Sequence, residues 1–414
     1  MKKILMIAFH YPPWSGGSGI ERTLKFSRYL PEYGWQPLIL TVHPRAYPQR
    51  GDEQHSDIPA SVLVRRAFAV DVARHMSFRG AYPQWLALPD RWGSWWLGAV
   101  PAGLQLIRRY RPAVIWSTYP IASAHLIGLT LHRLTGIPWV ADFRDSMTEE
   151  TYPRDRMARR VYRWLERQIV RRCTCAVFTA PGTLQMYAAR YPEIPQSRWA
   201  IIANGYDEEE FRGIEWTVGK RPSSMSQLVL VHSGVLYPSE RDPRAFFAAV
   251  ADLRNAGKIS SHGLKIILRA SGSEDIYRQL IRANGIEDII FLKPPLPRRD
   301  ALMEMIQADG LLLFQASNCN HQIPAKAYEY LRAKRPIFAL TDPKGDTACL
   351  LRQMGINTIV RLDSTAQIAQ GLQAFLSKLR DGHTLMGHGK EVCLHSRRSR
   401  ALQLANLLDA HYVS

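Results

Sequence analysis

The chain has 414 residues, 46% hydrophobic and 22% charged, which excludes a disordered or fibrous protein and leaves room for two domains of ordinary size. Its 54 Lys and Arg against 36 Asp and Glu give a formal net charge of +18, which points to a polyanionic partner: nucleic acid, an anionic membrane surface or a phosphorylated small molecule. Five cysteines, an odd number, argue for reduced thiols over a disulfide framework, and Cys173 and Cys175 lack nearby companions for a metal site.

Lys2 and Lys3 lead into a short apolar run that His-Tyr-Pro-Pro ends, so no secretory signal is expected. The longest apolar run, 95–107, contains Pro101 and Gln105 and is too short to span a bilayer. The expectation is a cytoplasmic protein, soluble or resting on the inner membrane surface. Residues 4–9 read as a parallel strand buried on both faces. HYPPWSGGSGIERTLKFSRYL then reads as a loop opening into a helix, with Ile20, Leu24, Phe26 and Leu30 as its apolar positions. Gly16, Gly17 and Gly19 bare the backbone for a ligand. A dinucleotide fingerprint fails here: Arg22 takes the third glycine's place, and the next strand, 37–42, ends in His43-Pro44-Arg45 without an acidic residue.

Strands and helices keep alternating: 62–66, a helix over 92–110, a strand over 113–117, a helix over 121–135 and a strand over 139–143. That βαβα order predicts a doubly wound parallel sheet, with ligands outside the carboxyl ends of its strands. Asp142-Phe143-Arg144-Asp145 stands at such an end. It orients a hydroxyl acceptor, balances charge at a departing diphosphate, or forms a structural Arg–Asp knot that ties the strand end to a loop. Between Arg154 and Arg172 lies a basic helix with Val161, Trp164, Leu165, Gln168 and Ile169 as a narrow apolar stripe. It is a packed helix with a solvated basic face, a binder of anionic lipid heads, or both. No zinc finger, RNP motif or recognition helix points to nucleic acid.

Strands follow at 176–180 and 199–203, then a polar linker over 208–226. A second βα series starts at 228–233, where Gly234 permits close backbone approach and Arg241 has the chemistry to pair with phosphate. It continues through a strand over 264–270, a helix from Asp275, a strand over 289–292, a helix from Asp300 and a strand over 311–314. NHQIPAKAYEYLRAKRPIFALTD then reads as a helix over 324–333 and a strand over 336–340. Lys326 in the first turn opposes the helix dipole, which makes sense if an anion sits there; Glu329, three residues on, is suited to accept hydroxyl hydrogen bonds. The alternative is an ordinary Lys326–Glu329 surface pair. Lys344 to Thr347 form another loop-to-helix junction. His383, His388, Cys393 and His395 have no zinc spacing.

IPAKAYEYLRAKRPIFAL resembles the IPxKxxEYL…RPI segment of bacterial GT-B glycosyltransferases of the retaining, family-4-like group, which act in cell-surface polysaccharide synthesis. WVADFRD, YPPWSGGSG with Arg22, GVLYPSERDP and NGYD resemble further elements of that group. The resemblance implies an α/β GT-B fold: two doubly wound, Rossmann-like domains facing across a cleft, 1–206 on the acceptor side and 207–388 on the nucleotide-sugar side, with 389–414 crossing back as a terminal helix. It implies donor binding by Gly17, Gly234, Arg241, His321, Lys326 and Glu329, with the glutamate on ribose and Lys326 near the diphosphate. The base would rest over 293–297. Gly16, Gly19 and Arg22 would form an acceptor-side loop, and Asp142, Arg144 and Asp145 the catalytic group. One departure stands out, since His321 occupies a position where the group often has a second glutamate. The expected reaction is sugar transfer with retention from a UDP- or GDP-linked donor to a carbohydrate or lipid-linked hydroxyl, without a cofactor and without a metal at the leaving group. The alternatives are a nucleotide-sugar epimerase and a degenerate scaffold of a polysaccharide complex.

Overall fold

A computed structural model describes the chain at every residue except 16–17, 52–56, 80, 151, 215–226, 383–391 and 413–414. Two compact units result: Met1–Asn204 with Arg397–Ser414, and Gly205–Ser396. Each is built on one all-parallel sheet, the arrangement that near-continuous apolar strands demand because both faces must be covered.

In the first unit the sheet order is β3-β2-β1-β4-β5-β6-β7. Its strands are β1 (Lys2–Ile7), β2 (Trp35–Val42), β3 (Leu63–Ala67), β4 (Val114–Thr118), β5 (Trp139–Arg144), β6 (Cys175–Phe178) and β7 (Trp199–Ile201). Alternate residues of one strand serve opposite faces. Leu5 and Ile7 face the cluster covered by α2 (Trp95–Tyr110), α3 (Ala122–Thr135) and α4 (Arg156–Arg172). Ile4 and Met6 join the cluster on the other face with Leu24 and Phe26 of α1 (Glu21–Tyr29). The helix α5 (Pro181–Arg190) follows β6. The order reverses between β1 and β4, so the ligand crevice of this unit lies beyond their carboxyl ends.

The second unit repeats the plan in the order β10-β9-β8-β11-β12-β13. Here the strands are β8 (Leu228–Ser233), β9 (Leu264–Arg269), β10 (Ile290–Lys293), β11 (Gly310–Phe314), β12 (Ile337–Leu340) and β13 (Ile359–Val360). The helices are α6 (Arg244–Asn255), α7 (Glu274–Ala283), α8 (Arg298–Gln307), α9 (Ala325–Ala333), α10 (Asp346–Gln353) and α11 (Thr365–Arg380). The reversal falls between β8 and β11. The last helix, α12 (Arg397–Tyr412), belongs to the first unit, where Ala401, Leu404 and Leu408 are buried beside α1.

Three expectations change. The linker expected over 208–226 begins as a helical turn, Glu208–Phe211, capped by the Asp207 carboxylate on the Glu209 N–H; 215–226 lie outside the described residues. On α4 the buried face is Tyr162, Leu165, Glu166, Ile169 and Val170, whereas Trp164 is 57% exposed. The expected stripe missed this because Glu166 is buried as a satisfied acceptor of Thr148, Tyr187, Tyr191 and Arg190. Finally, Pro324 caps α9 in an extended conformation instead of joining its first turn. Among the described residues no helix is long and apolar enough to cross a membrane.

Candidate active site

At the switch point of the second unit, β8 ends in His232-Ser233 and Gly234 follows it. Gly234 has φ +112°, a region that L side chains rarely adopt, and a Cβ there would lie 2.9 Å from Lys326 Nζ. The ammonium therefore rests directly against bare backbone. It is anchored from behind by His232 Nε2 at 3.1 Å. Lys326 is half-buried, with Arg241 on the loop after β8 as its cationic neighbour. Burial, and then the Arg241 charge, pull the Lys326 pKa well below the ordinary lysine range, while Glu329 acts weakly in the opposite sense. Two cations converge on a glycine backbone, and an anion placed there would relieve both burdens. Arg241 is steadied by its bond to Val235 O at 3.0 Å and lies over the Tyr237 ring.

The Lys326–Glu329 surface pair, one of the two readings of this helix, is not what forms. Glu329 Oε1 instead accepts from Arg298 Nη2 at 2.6 Å, and the same guanidinium holds Glu210 at 2.7 Å. Arg298 stands in the first turn of α8, so it reaches across to α9 and fixes the Glu329 carboxylate. The 293–297 loop is also built: Arg269 donates to Pro294 O at 2.7 Å and is itself gripped by Glu304 at 2.6 and 3.0 Å. His321 is half-buried with its Nε2 3.4 Å from Gln322 Nε2. Thr347 ties α10 to this loop through Gln322 O at 3.1 Å.

In the first unit, Asp142 is fully buried. Its two oxygens take the Nε and Nη2 hydrogens of Arg22 at 2.6 and 2.8 Å, and Thr118 Oγ1 adds a third bond at 3.1 Å. Arg22, 1% exposed, spends its remaining reach on the carbonyls of Ile202 and Ala203. Asp142, expected in the catalytic group, and Arg22, expected in the acceptor-side loop, are thus both buried and bonded to each other. The Arg–Asp knot exists, but its arginine comes from α1.

A β-bulge between Asp142 and Arg144 and a φ of +58° at Arg144 turn this residue out of the strand. Such local strain belongs at places where a side chain must be re-aimed. Arg144 Nη1 donates to Gly19 O at 2.9 Å and so holds the glycine loop, while Asp145 next to it is exposed. Gly19 packs so closely that a Cβ would meet His10 Nδ1 at 2.9 Å. His10, half-buried and ring to ring with Trp14 at 4.0 Å, is pushed down to about 3 by burial and by Arg144, and is neutral at physiological pH. Sequence reasoning passed over His10, although it lies directly after a strand, where ligand residues collect. Gly16 and Gly17 lie outside the described residues.

Gly234→Ala provides a check on the second unit. The strained φ is expected to cost on the order of 1–2 kcal/mol in stability. Because the methyl meets only the flexible end of Lys326, the larger effect should be a displaced ammonium and weaker binding of any anion placed there. Denaturation midpoints and calorimetry measure the two separately.

Residues 18–205 match the family model of the glycosyl transferase 4-like domain. No curated protein matches the chain by sequence. Among solved structures, the sucrose-phosphate synthase of Thermosynechococcus elongatus is similar over 100% of both chains, with TM-score 0.71 and 15% identity. HepE of Anabaena, solved in complex with UDP-glucose, is similar over 99% of this chain and 100% of its own, with TM-score 0.65 and 14% identity. WaaG, a glycosyltransferase involved in lipopolysaccharide biosynthesis, follows at TM-score 0.62 and 13% identity over 98% and 99%. These likenesses establish the GT-B fold.

Proposed function

Starting from a GT-B glycosyltransferase with a 4-like domain, which uses a nucleotide-sugar donor, we propose that the second unit holds the donor diphosphate between Gly234, Arg241 and Lys326 and the donor ribose on Glu329. The carrying observation is the Lys326 ammonium, fixed by His232 against a glycine backbone and crowded by Arg241. Such a site is short of negative charge, and a diphosphate supplies it. As the glycosidic bond breaks, charge grows on the departing diphosphate, and cations already in place stabilise it without a metal at that position. Arg298 holds Glu329 ready for hydroxyls, because the carboxylate only accepts.

The donor base in this reading is uracil, as in the UDP-glucose complex of HepE. The acceptor is a carbohydrate or lipid-linked hydroxyl presented by the first unit near Arg144, Asp145 and His10, in polysaccharide or lipopolysaccharide synthesis of the kind WaaG serves. Transfer proceeds with retention. Incubating the protein with a panel of UDP- and GDP-sugars and saccharide acceptors, with the anomeric proton coupling of the product as readout, tests this. Release of a free epimerised sugar without acceptor would instead identify an epimerase, and no turnover with any donor would leave a scaffold.

The pH dependence follows from Lys326. Its proton is loosened in the empty site, and a bound diphosphate restores its hold, so binding takes up a proton at pH values above the depressed pKa. Calorimetric titrations in two buffers of different ionisation enthalpy should therefore give different heats. Equal heats at every pH up to the ordinary lysine range would contradict the assignment.

The outer face of α4 supports a membrane-surface reading. Arg156, Arg160, Arg163, Arg167 and Arg171 are exposed there together with Trp164 and Met157. A helix with that face lies on anionic headgroups. Flotation with anionic liposomes should recover the protein at low salt and lose it at high salt; no recovery at low salt ends the idea.

A further inference from the structure

We infer that His232 is a positioning residue for the donor diphosphate, acting through Lys326. The inference rests on the donor reading above and adds a residue that neither the motifs nor the expected donor set contain. In the apolar strand β8, LVLVHS, His232 is fully buried. Its two ring nitrogens have unlike partners. Nδ1 lies 2.8 Å from Leu312 O on β11, across the switch point. A carbonyl only accepts, so Nδ1 carries the hydrogen. Nε2 lies 3.1 Å from Lys326 Nζ, and an ammonium only donates, so Nε2 offers its lone pair. The two contacts require the same neutral tautomer. The charges facing the pair are Lys326 and Glu329 from α9 and Arg241 from the loop after β8. Burial first, and then the Lys326 and Arg241 charges, hold the ring well below the ordinary histidine range against the opposing Leu312 and Gly234 backbone, so it stays neutral. Phe314, edge-on at 5.0 Å and 88°, fixes the plane of the imidazole.

The consequence concerns Lys326. A lysine side chain has many rotamers, and ordering it on binding costs affinity. His232 removes that cost in advance by engaging one N–H of the ammonium. The other hydrogens remain for a ligand, and the absence of a Cβ at Gly234, which would lie 2.9 Å from Nζ, leaves that side open to an anion. A histidine that merely filled the core would need Leu312 O and Phe314, but it would have no reason to aim its lone pair at the lysine in the first turn of α9.

The test uses His232→Phe, which keeps the ring on Phe314 but removes both nitrogens, and His232→Gln, which returns an acceptor oxygen near the Nε2 position. Calorimetry measures UDP and GDP binding, with uridine and guanosine as phosphate-free controls. The expected result is that His232→Phe weakens the diphosphate that wild type binds by roughly tenfold or more, the size of one lost hydrogen bond to a charged group. The parent nucleoside should bind unchanged, and His232→Gln should recover most of the loss. Equal weakening of nucleoside and diphosphate, no weakening, or no recovery with glutamine would overturn the positioning role while leaving the donor reading intact. Wild type that bound neither diphosphate would overturn both. If the phenylalanine variant does not fold, the ¹⁵N shifts of the wild-type ring decide: an unprotonated Nε2 that moves on UDP or GDP titration supports the role, and an Nε2–H tautomer overturns it.

Discussion

Lys326→Ala is expected to lower kcat/KM for the nucleotide sugar by about 10²–10³-fold, the loss seen when one preorganised group facing developing charge is removed. The ammonium meets more negative charge on the departing diphosphate than on the intact donor, so kcat should fall as well as affinity. Stability should behave in the opposite way. Burial and Arg241 make the charged lysine costly in the empty protein, so its removal should leave the denaturation midpoint unchanged or raised, the usual sign of a group kept for function. Glu329→Gln separates the two halves of the site. It keeps the shape but halves the acceptors for ribose, and KM is expected to rise with a smaller change in kcat. A Lys326→Ala enzyme with wild-type turnover would remove the diphosphate from this site.

Asp142→Ala is expected to cost about 3–5 kcal/mol of stability, because it leaves the Arg22 guanidinium buried without its counter-charge. The two carbonyls that remain to Arg22, of Ile202 and Ala203, do not neutralise it. Arg22→Met should cost a similar amount by orphaning the carboxylate, whose remaining side-chain donor is Thr118. Arg22→Met combined with Asp142→Leu should recover much of the loss, since an apolar pair needs no compensation there. Urea denaturation of wild type, Arg22→Met, Asp142→Leu and the double variant closes the cycle. Were Asp142 presented to substrate, alanine would abolish turnover and spare the midpoint, and that outcome would contradict the burial argument.

These two residues show where the sequence was legible. Lys326 against the dipole of α9 is a local anomaly, and local anomalies are readable: the charge is misplaced unless something anionic answers it. The alternating strands and helices were equally plain, and the doubly wound sheets follow from them. The partner of Asp142 was not legible, because a DFRD cluster at a strand end does not announce Arg22, 120 positions away in the chain. Arg298 was invisible for the same reason, since nothing near Glu329 in sequence announces a guanidinium arriving from α8. His232 carried a faint signal, as a polar residue in an apolar strand, and only the lengths of its two hydrogen bonds reveal what it serves. Strand β13 is two residues long and offered no period to detect.

The central claim is that the second unit is a diphosphate receiver. Titrating wild type and Lys326→Ala with UDP, GDP and ADP by calorimetry tests it most directly. The account predicts that one of these nucleoside diphosphates binds wild type and that the alanine variant loses at least tenfold in affinity for it, about 1.4 kcal/mol. Absence of binding by all three, or equal affinity in the two proteins, would contradict it.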